Sequence, residues 1–499
     1  MSPKNSVRFA IFNAVYSYIG KAVSSVFTAL AFVLIVRSLS VTDYGRYTFY
    51  INGVFFVAIL LDLGMAELIL RYAPQHLEEG NISTVKWMFK KSVLLISGAC
   101  AGAILLSFII MRFLPGLTSR LQLNKVLPFI IIFGWMRIIM LILGNVLNAF
   151  FKQSYRITCE IAISAVRLFF IYLLIKRGMD VWFLIVLFGA LDLIMIAAFY
   201  AKIGAMFKSV SAKAGRDIFG KMRWFALNEY LYRLFWFFTD NRFDLYLVGL
   251  ILGLTPAGYF AFAAGIVNLL IDWSPGLIIR PVLAPLFVQK YAAAKDISMI
   301  QNIFQLHNKF LIFLTLPIFA AIAVIIDKVI IYILDPKYLA SLNVFFIFLG
   351  SMFLVNILIP LRNVIAMIER PDISNITNIV AIPKILLILW LAGSMGIIGV
   401  ASIYALSLAA IILINVVLIK KEVELAFPWK SFFKIAGNSL VMAAVLFSLR
   451  PLIVNRINLF LILICGMGVY ILAAYLNKAF DDRERALFNR AFKVKLWYF

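Results

Sequence analysis

The segment from Phe225 to Leu252, FALNEYLYRLFWFFTDNRFDLYLVGLIL, decides the fold class. A helix of about 20 apolar residues is long enough to cross a bilayer. Four of its charged residues are Glu229, Arg233, Asp240 and Asp244. On a continuous helix they fall at about 0°, 40°, 20° and 60°, so they form one stripe. Each such charge would cost roughly 2.5–3.5 kcal/mol against lipid. The stripe therefore predicts a multi-helix membrane protein with a polar interior.

The composition supports this prediction along the whole chain. Hydrophobic residues make up 64% of the 499 residues, and only 14% are charged. The mean hydropathy of +1.00 exceeds that of soluble domains. The formal charge of +24 could indicate a nucleic-acid partner. The basic residues gather in loops on one side, however, so we interpret them as a positive-inside orientation signal and expect no nucleic-acid binding.

The apolar runs predict about fourteen transmembrane helices. We expect them in the inner (cytoplasmic) membrane, with both termini on the cytoplasmic side. The predicted spans are 9–36, 48–70, 92–111, 126–151, 157–175, 182–201, 225–252, 257–284, 310–331, 341–366, 375–394, 396–419, 437–455 and 458–477. The loops are short, and the basic stretch 204–224 divides the chain after the sixth span. No span looks like a cleavable signal peptide.

Two stretches resemble each other and indicate an internal repeat. Tyr44-Gly45-Arg46-Tyr47 opens the second span, and Ala257-Gly258-Tyr259-Phe260 opens the eighth. A repeat of six spans would make these positions equivalent. Internal repeats are common in secondary transporters, whose substrate site lies between the two halves.

The charges inside the predicted spans provide the candidate site residues, and they have two interpretations. Some pairs, such as Glu229 with Arg233 and Glu160 with Arg167, can simply lock helices together. Others can line a cavity. Because guanidinium and ammonium groups suit phosphate, the candidate substrate-binding residues are Lys21, Arg137, Arg233, Arg280 and Lys384. The candidate coupling-ion residues are Asp62, Asp240 and Asp244.

Asp240 and Asp244 stand out because a continuous helix would point Arg242 away from both. A carboxylate pair of this kind suits coupling to Na⁺ or H⁺. The sequence has no nucleotide-binding or hydrolase motif. Its two histidines and three cysteines do not have the spacing of a metal site or a disulfide framework. We therefore expect no catalytic residue, metal or cofactor, and no enzyme activity.

Several motifs resemble those of one transporter family. Arg37-Ser38-Leu39 with Asp43-Tyr44-Gly45-Arg46-Tyr47 is similar to the first outer loop of the polysaccharide flippases of the O-antigen (Wzx) type. Further similar motifs follow in the same order and spacing, namely Asp62-Leu63-Gly64 with Arg71-Tyr72, Asp244 through Gly249 to Ala257-Gly258-Tyr259, and Gly396-Ile397-Ile398-Gly399-Val400-Ala401. The resemblance covers residues 8 to 490, within the multidrug/oligosaccharidyl-lipid/polysaccharide exporter superfamily.

The resemblance implies two pseudo-symmetric six-helix bundles around a central cavity. The expected domains are bundles at 1–203 and 225–419, the linker at 204–224, two additional helices at 437–477 and a basic tail at 478–499. The implied function is flipping of a polyprenyl-pyrophosphate-linked oligosaccharide by alternating access, for cell-surface polysaccharide biosynthesis. The implied partners are the bilayer, this lipid-linked oligosaccharide and polysaccharide assembly proteins.

Three alternatives stay open at this stage. A flippase for a lipid-linked cell-wall precursor has the same fold and a similar substrate. A cation-coupled drug antiporter requires an acidic or apolar cavity, and Asp62, Asp240 and Asp244 are consistent with an acidic one. A membrane glycosyltransferase is disfavoured because the predicted outer loops are too short to form a substrate-binding domain.

Overall fold

The computed structural model describes residues 3–113, 126–178, 180–208, 210, 218–272, 297–368, 370–482, 484–485 and 489. The regular elements in these ranges are helical, and twelve segments among them are long and apolar enough to cross a membrane. The prediction of an all-α polytopic membrane protein is confirmed. The chain forms two compact units, Met1–Gly258 and Tyr259–Phe499. The expected bundle limits at 203 and 225 stay a prediction.

The first unit is organised around one buried helix. Its helices are α1 (Pro3–Ser38), α2 (Val41–Asp62), α3 (Met65–Glu78), α4 (Ile82–Phe113), α5 (Leu127–Ala149), α6 (Gln153–Lys176), α7 (Val181–Met206), α8 (Ile218–Thr239), α9 (Asn241–Ile251) and the start of α10 (Leu254–Asp272). Helix α5 packs against α2, α3, α4 and α7. Its Ile142, Leu143, Val146 and Leu147 are completely buried, because this face of the helix lies between its neighbours.

The second unit contains the remaining helices. They are α11 (Ile297–Tyr332), α12 (Leu342–Met367), α13 (Pro371–Asn378), α14 (Ala381–Ile419), α15 (Trp429–Leu449) and α16 (Arg456–Asn477), with short 3₁₀ turns at Pro336–Ser341 and Arg450–Leu452. Helices α15 and α16 pack against α11. The Tyr470 hydroxyl anchors this contact, since it donates a 2.7 Å hydrogen bond to the Phe313 carbonyl.

Helix α2 starts and stops at signals that the hydropathy pattern did not reveal. Ser40 caps its first turn, accepting a hydrogen bond from the Asp43 amide at 3.0 Å. At its end, Leu63 and Gly64 take left-handed conformations, and α3 begins immediately afterwards. The predicted span 48–70 is therefore wrong at both ends. It starts too late because the Ser40 cap begins the helix at Val41, and it ends too late because the turn at residues 63–64 divides the apolar run.

The charged stripe does not lie on one helix, so the prediction of a single striped span over 225–252 is wrong. Asp240 is the N-cap of α9, and its carboxylate accepts a hydrogen bond from the Arg242 amide at 2.9 Å. Helix α8 accordingly ends at Thr239. A short acidic side chain caps a helix well because it satisfies an otherwise unpaired amide. The angular register from Glu229 to Asp244 is thus interrupted.

Helix α14 reverses direction at Gly396. This glycine has φ 60° and ψ −156°, outside helical values. The Lys384 ammonium lies 5.5 Å from the centre of the Tyr404 ring. In a straight helix these residues would be about 30 Å apart along the axis, too far for two side chains to meet. The stretch Asp372–Ile419 therefore supplies two antiparallel arms, as the predicted spans 375–394 and 396–419 require.

The two repeat motifs pack against each other at a close helix crossing. A Cβ added to Gly45 would lie 2.0 Å from the Leu254 carbonyl oxygen, and one added to Gly258 would lie 2.1 Å from that of Val41. Each glycine thus faces the carbonyl four residues before its counterpart. The hydroxyls of Thr42 and Thr255 form a 2.7 Å hydrogen bond beside this crossing. The contact has the reciprocal pattern expected of a pseudo-twofold repeat.

We expect Gly45→Ala or Gly258→Ala to lower the thermal unfolding temperature in detergent. The added methyl group would collide with backbone, so the helices must separate, at a cost of about 1–3 kcal/mol. Gly98→Ala on α4 is the matched control, since nothing lies within 4 Å of its Cβ position. Equal unfolding temperatures for G258A and G98A would contradict a tight crossing.

Candidate substrate and coupling site

An acid-rich group of charges joins α2 and α3 to α8. Arg233 on α8 donates to the Asp62 carboxylate at 2.6 Å and lies 2.9 Å from that of Glu67. Glu229 interacts electrostatically with Glu67, Arg71 and Arg233. We call these five residues the Arg233 cluster. Three carboxylates and two guanidinium groups leave it with one excess negative charge when all are ionised.

Asp62 has a second role within this cluster. Its other carboxylate oxygen accepts a hydrogen bond from the Ala66 amide at 2.9 Å, which caps the first turn of α3. Only 1% of Asp62 is exposed. The predicted phosphate ligand Arg233 and the predicted coupling residue Asp62 are thus paired with each other. Glu229 and Arg233 do lie close, but the ion pairs of Arg233 reach across to α2 and α3.

A second group, between α5, α6 and α7, has two arginines around one buried carboxylate. Arg137 lies 2.9 Å from the Asp192 carboxylate, and Arg167 lies 3.7 Å from its other oxygen. Asp192 is 2% exposed. The sequence suggested that Arg167 pairs with Glu160, but Glu160 is 2.7 Å from Arg156 instead. One carboxylate cannot neutralise two guanidinium groups, so this group is cationic.

A third arginine reaches the same aromatic ring as Arg137. The guanidinium carbons of Arg137 and Arg242 each lie 5.6 Å from the centre of the Phe55 ring. We call Phe55, Arg137, Arg167, Asp192 and Arg242 the Phe55 site. Such stacking holds a guanidinium group over an aromatic ring while leaving donors free along its edge.

Arg242 also changes the interpretation of the carboxylate pair. Because α9 starts afresh at Asp240, the Arg242 guanidinium lies 3.9 Å from the Asp240 carboxylate. The expectation that Asp240 lacks a local counter-ion is therefore wrong. Asp244, one turn further on, is completely buried. The pair thus consists of a capping carboxylate beside an arginine and a second carboxylate shielded from solvent.

The other candidate residues are dispersed. Lys21 is exposed on α1. Lys384 is 2% exposed in the second unit, where it contacts the ring of Tyr404. Arg280 lies outside the described residues. Within the described ranges no three His, Cys, Asp or Glu side chains are arranged so that they could together hold a metal ion. Among the predicted phosphate ligands that the structure describes, Arg137 lies in a group where arginines outnumber carboxylates.

The polar face of α1 forms a helix–helix seam. The Tyr16 and Thr158 hydroxyls meet at 2.8 Å, and Ser24 meets Ser164 at the same distance. A Cβ at Gly20 would lie 2.1 Å from the Ile157 side chain. Small and hydroxylated residues allow this close approach between membrane helices. These hydroxyl groups therefore hold α1 against α6.

Sequence reasoning did not select Arg167, Asp192 or Arg242 as site residues. All three were visible as charges within predicted spans, which was the available signal. Their grouping depends on how α2, α5, α6, α7 and α9 pack together, and periodicity within one helix does not report that packing.

No protein-family model matches the chain. A curated protein, a probable low-salt glycan biosynthesis flippase (Agl15) of Haloferax volcanii, is 22% identical over 307 residues. That match covers 60% of this chain and spans 62% of the length of the relative.

Two solved structures are similar over most of the chain. One is the lipid II flippase MurJ in an inward closed conformation, with a TM-score of 0.68 and 15% identity over 97% of this chain and 100% of that one. The other is an inward-facing multidrug resistance MATE family transporter of the MOP superfamily, with a TM-score of 0.61 and 12% identity. That match covers 81% of this chain and 98% of the transporter. The chain has the helical fold of these proteins, so the fold that the sequence resemblance implies is confirmed.

We expect Asp62→Ala to lower the free energy of unfolding by about 1–3 kcal/mol, because it removes both the α3 cap and a buried partner of Arg233. Unfolding in a denaturing detergent would measure the change. Asp62→Asn keeps an acceptor for the Ala66 amide and should cost less. If D62A and D62N unfold like the unmodified protein, the linking role of Asp62 is disproved.

Proposed function

We propose that this protein flips a polyprenyl-pyrophosphate-linked oligosaccharide across the cytoplasmic membrane by alternating access, for assembly of cell-surface polysaccharide. The cationic Phe55 site carries the proposal. It has three arginines, against the carboxylates of Asp192 and of the neighbouring Asp240. The excess positive charge suits the phosphate groups of such a substrate. The sequence motifs and the distant glycan-flippase relative support the same substrate class.

The physical need for such a protein follows from the substrate. An oligosaccharide head group exposes many hydroxyls, and hydrocarbon offers them no hydrogen-bond partner. Arg242 is the most accessible arginine of the Phe55 site, with 43% of its side chain exposed. In the proposed mechanism Arg242 meets the phosphate first, while Arg137 and Arg167 are held in position by Asp192. The protein acts as a transporter and performs no covalent chemistry.

A lipid-linked cell-wall precursor is a second candidate substrate, favoured by the similarity in fold to a lipid II flippase. It also carries a pyrophosphate and a sugar head group, so the Phe55 site suits it equally. A cation-coupled drug antiporter is favoured by a different observation, the excess acid of the Arg233 cluster. Transport assays with a sugar lipid, lipid II and a cationic dye would separate the three.

We expect Arg242→Gln to reduce the initial rate of flipping at least tenfold in proteoliposomes that contain a fluorescent polyprenyl-pyrophosphate oligosaccharide. Removing this guanidinium removes the exposed part of the cationic site. Arg242→Lys should keep part of the activity, since it keeps the charge but loses the planar fork.

Arg223→Gln is the matched control for charge, because Arg223 is exposed on α8 away from the Phe55 ring. An R242Q protein that flips at the rate of R223Q would overturn the assignment. Arg233 is a poorer test residue, because its loss would leave Asp62 and Glu67 close together with no guanidinium between them.

We infer that a cation gradient, of Na⁺ or H⁺, drives transport through the Arg233 cluster, in which Asp62 is one of three carboxylates. Glu229→Gln removes the excess negative charge, and we expect it to abolish the response of flipping to an imposed gradient. Each gradient would be applied separately to the same proteoliposomes. A Glu79→Gln protein, changed at an exposed carboxylate outside the cluster, is the control. An unaltered gradient response in E229Q would exclude this site.

A further inference from the structure

A patch of lysines and aromatic rings surrounds the start of α15. The loop after α14 contributes Lys420 and Lys421, and the first turns of α15 contribute Trp429, Lys430 and Phe433. All five side chains belong to exposed residues. We call them the α15 patch. This surface lies entirely within the second unit and shares no residue with the Phe55 site or the Arg233 cluster.

The rings of the α15 patch project away from the protein core. Trp429 is 59% exposed and Phe433 is 65% exposed. Their ring centres are 6.1 Å apart and the rings are nearly parallel, with an interplanar angle of 27°. Phe427 and Phe432 support them from behind, with Phe427 4.8 Å from Trp429. A rigid pair of exposed rings of this size indicates an interaction surface.

The length of α15 places this patch at a membrane boundary. The helix has 21 residues, which span about 31 Å, close to the thickness of the hydrocarbon layer. Leu440, Val441 and Phe447 are exposed further along it, as lipid-facing residues are. Trp429 therefore lies where the helix leaves the hydrocarbon. Tryptophan favours this depth because its ring is apolar and its N–H is polar.

The end of α16 brings further positive charge to the same boundary. The Lys434 ammonium donates to the carbonyls of Asn477 and Lys478, at 3.2 Å in each case. Lys478 is itself exposed. Lysines 420, 421, 430, 434 and 478 thus lie on one face of the membrane around two exposed rings.

The acidic residues of the loop do not cancel this charge. Glu422 pairs with Arg370, which also binds Asp372. Glu424 is exposed and offsets one lysine. The loop is held in place, because Gln301 both donates to the Ala426 carbonyl at 3.1 Å and accepts from its amide at 2.9 Å. The loop that carries Lys420 and Lys421 is thus held against α11, and the patch keeps an excess of positive charge.

We propose that the α15 patch binds the head group of an anionic phospholipid, with Trp429 and Phe433 inserted beside its upper acyl chains. The lysines complement the phosphate and the rings match the boundary between head groups and hydrocarbon. Exposed lysines beside lipid typically raise the affinity for an anionic head group by about fivefold each. The partner is a lipid of the surrounding bilayer, distinct from the transported substrate.

Fluorescence quenching at Trp429 tests this proposal without any transport measurement. The purified full-length protein is reconstituted in phosphatidylcholine with increasing amounts of brominated phosphatidylglycerol or brominated phosphatidylcholine. The quenching lost in Trp429→Phe reports the lipid beside this residue. We expect half-maximal quenching at a several-fold lower fraction of phosphatidylglycerol than of phosphatidylcholine.

The triple variant K420Q/K421Q/K430Q should remove this preference while Trp429 remains quenched by both lipids. Lys434 is left unchanged because it joins the ends of α15 and α16. The variant K90Q/K152Q/K208Q is the control, since it removes three exposed lysines from the first unit. Equal quenching by the two lipids in the unmodified protein, no quenching at Trp429, or a preference that survives K420Q/K421Q/K430Q would each overturn the proposal.

Discussion

The carboxylate of Asp62 is the point on which the arrangement of the first unit depends. One oxygen caps α3 through the Ala66 amide, and the other binds Arg233 on α8. A charge buried in an apolar unit is tolerated only when its hydrogen-bonding capacity is satisfied. A single side chain thus fixes where α2 ends, how α3 begins and where α8 lies. The left-handed turn at Leu63 and Gly64 is what places this carboxylate between three helices.

Charge distribution separates the first unit into two chemically different regions. The Arg233 cluster has more carboxylates than guanidinium groups, whereas the Phe55 site has more guanidinium groups than carboxylates. The membrane segments as a whole are nearly neutral, so the total charge hides this separation. A transporter that moves an anionic head group with the help of a cation needs regions of both signs. The proposed function uses this division and assigns one role to each region.

The sequence predicts the membrane helices well where hydropathy is the controlling property. Helix α5, predicted at 126–151, lies at 127–149. Lys125 and Lys152 bound its apolar run, so hydropathy locates both ends closely. Hydropathy fails where the backbone turns within an apolar run. Asp240 and the pair Leu63-Gly64 interrupt two predicted spans through local capping and left-handed backbone, and both signals are short.

The candidate site was predictable only in part. Intramembrane charge drew attention to Arg137, Asp62 and Arg233, which the structure places in two separate charged groups. The pairing of these charges depends on contacts between helices far apart in the chain, such as Arg137 with Asp192. A helical-wheel angle describes neighbours on one helix and gives no information on such contacts. Gly45 and Gly258, which suggested a repeat, do lie at one reciprocal crossing.

The reversal at Gly396 affects how the chain can enter the membrane during synthesis. No charged residue occurs between Lys384 and Lys420, so the turn between the two arms carries no residue that would hold it on either side. The arms are therefore suited to insert together as a helical hairpin whose tip crosses the bilayer. Their orientation is then left to the basic residues that flank the hairpin, Arg370 before it and Lys420 with Lys421 after it. If the α15 patch binds lipid as proposed, two of its lysines would also help to set the orientation of this hairpin.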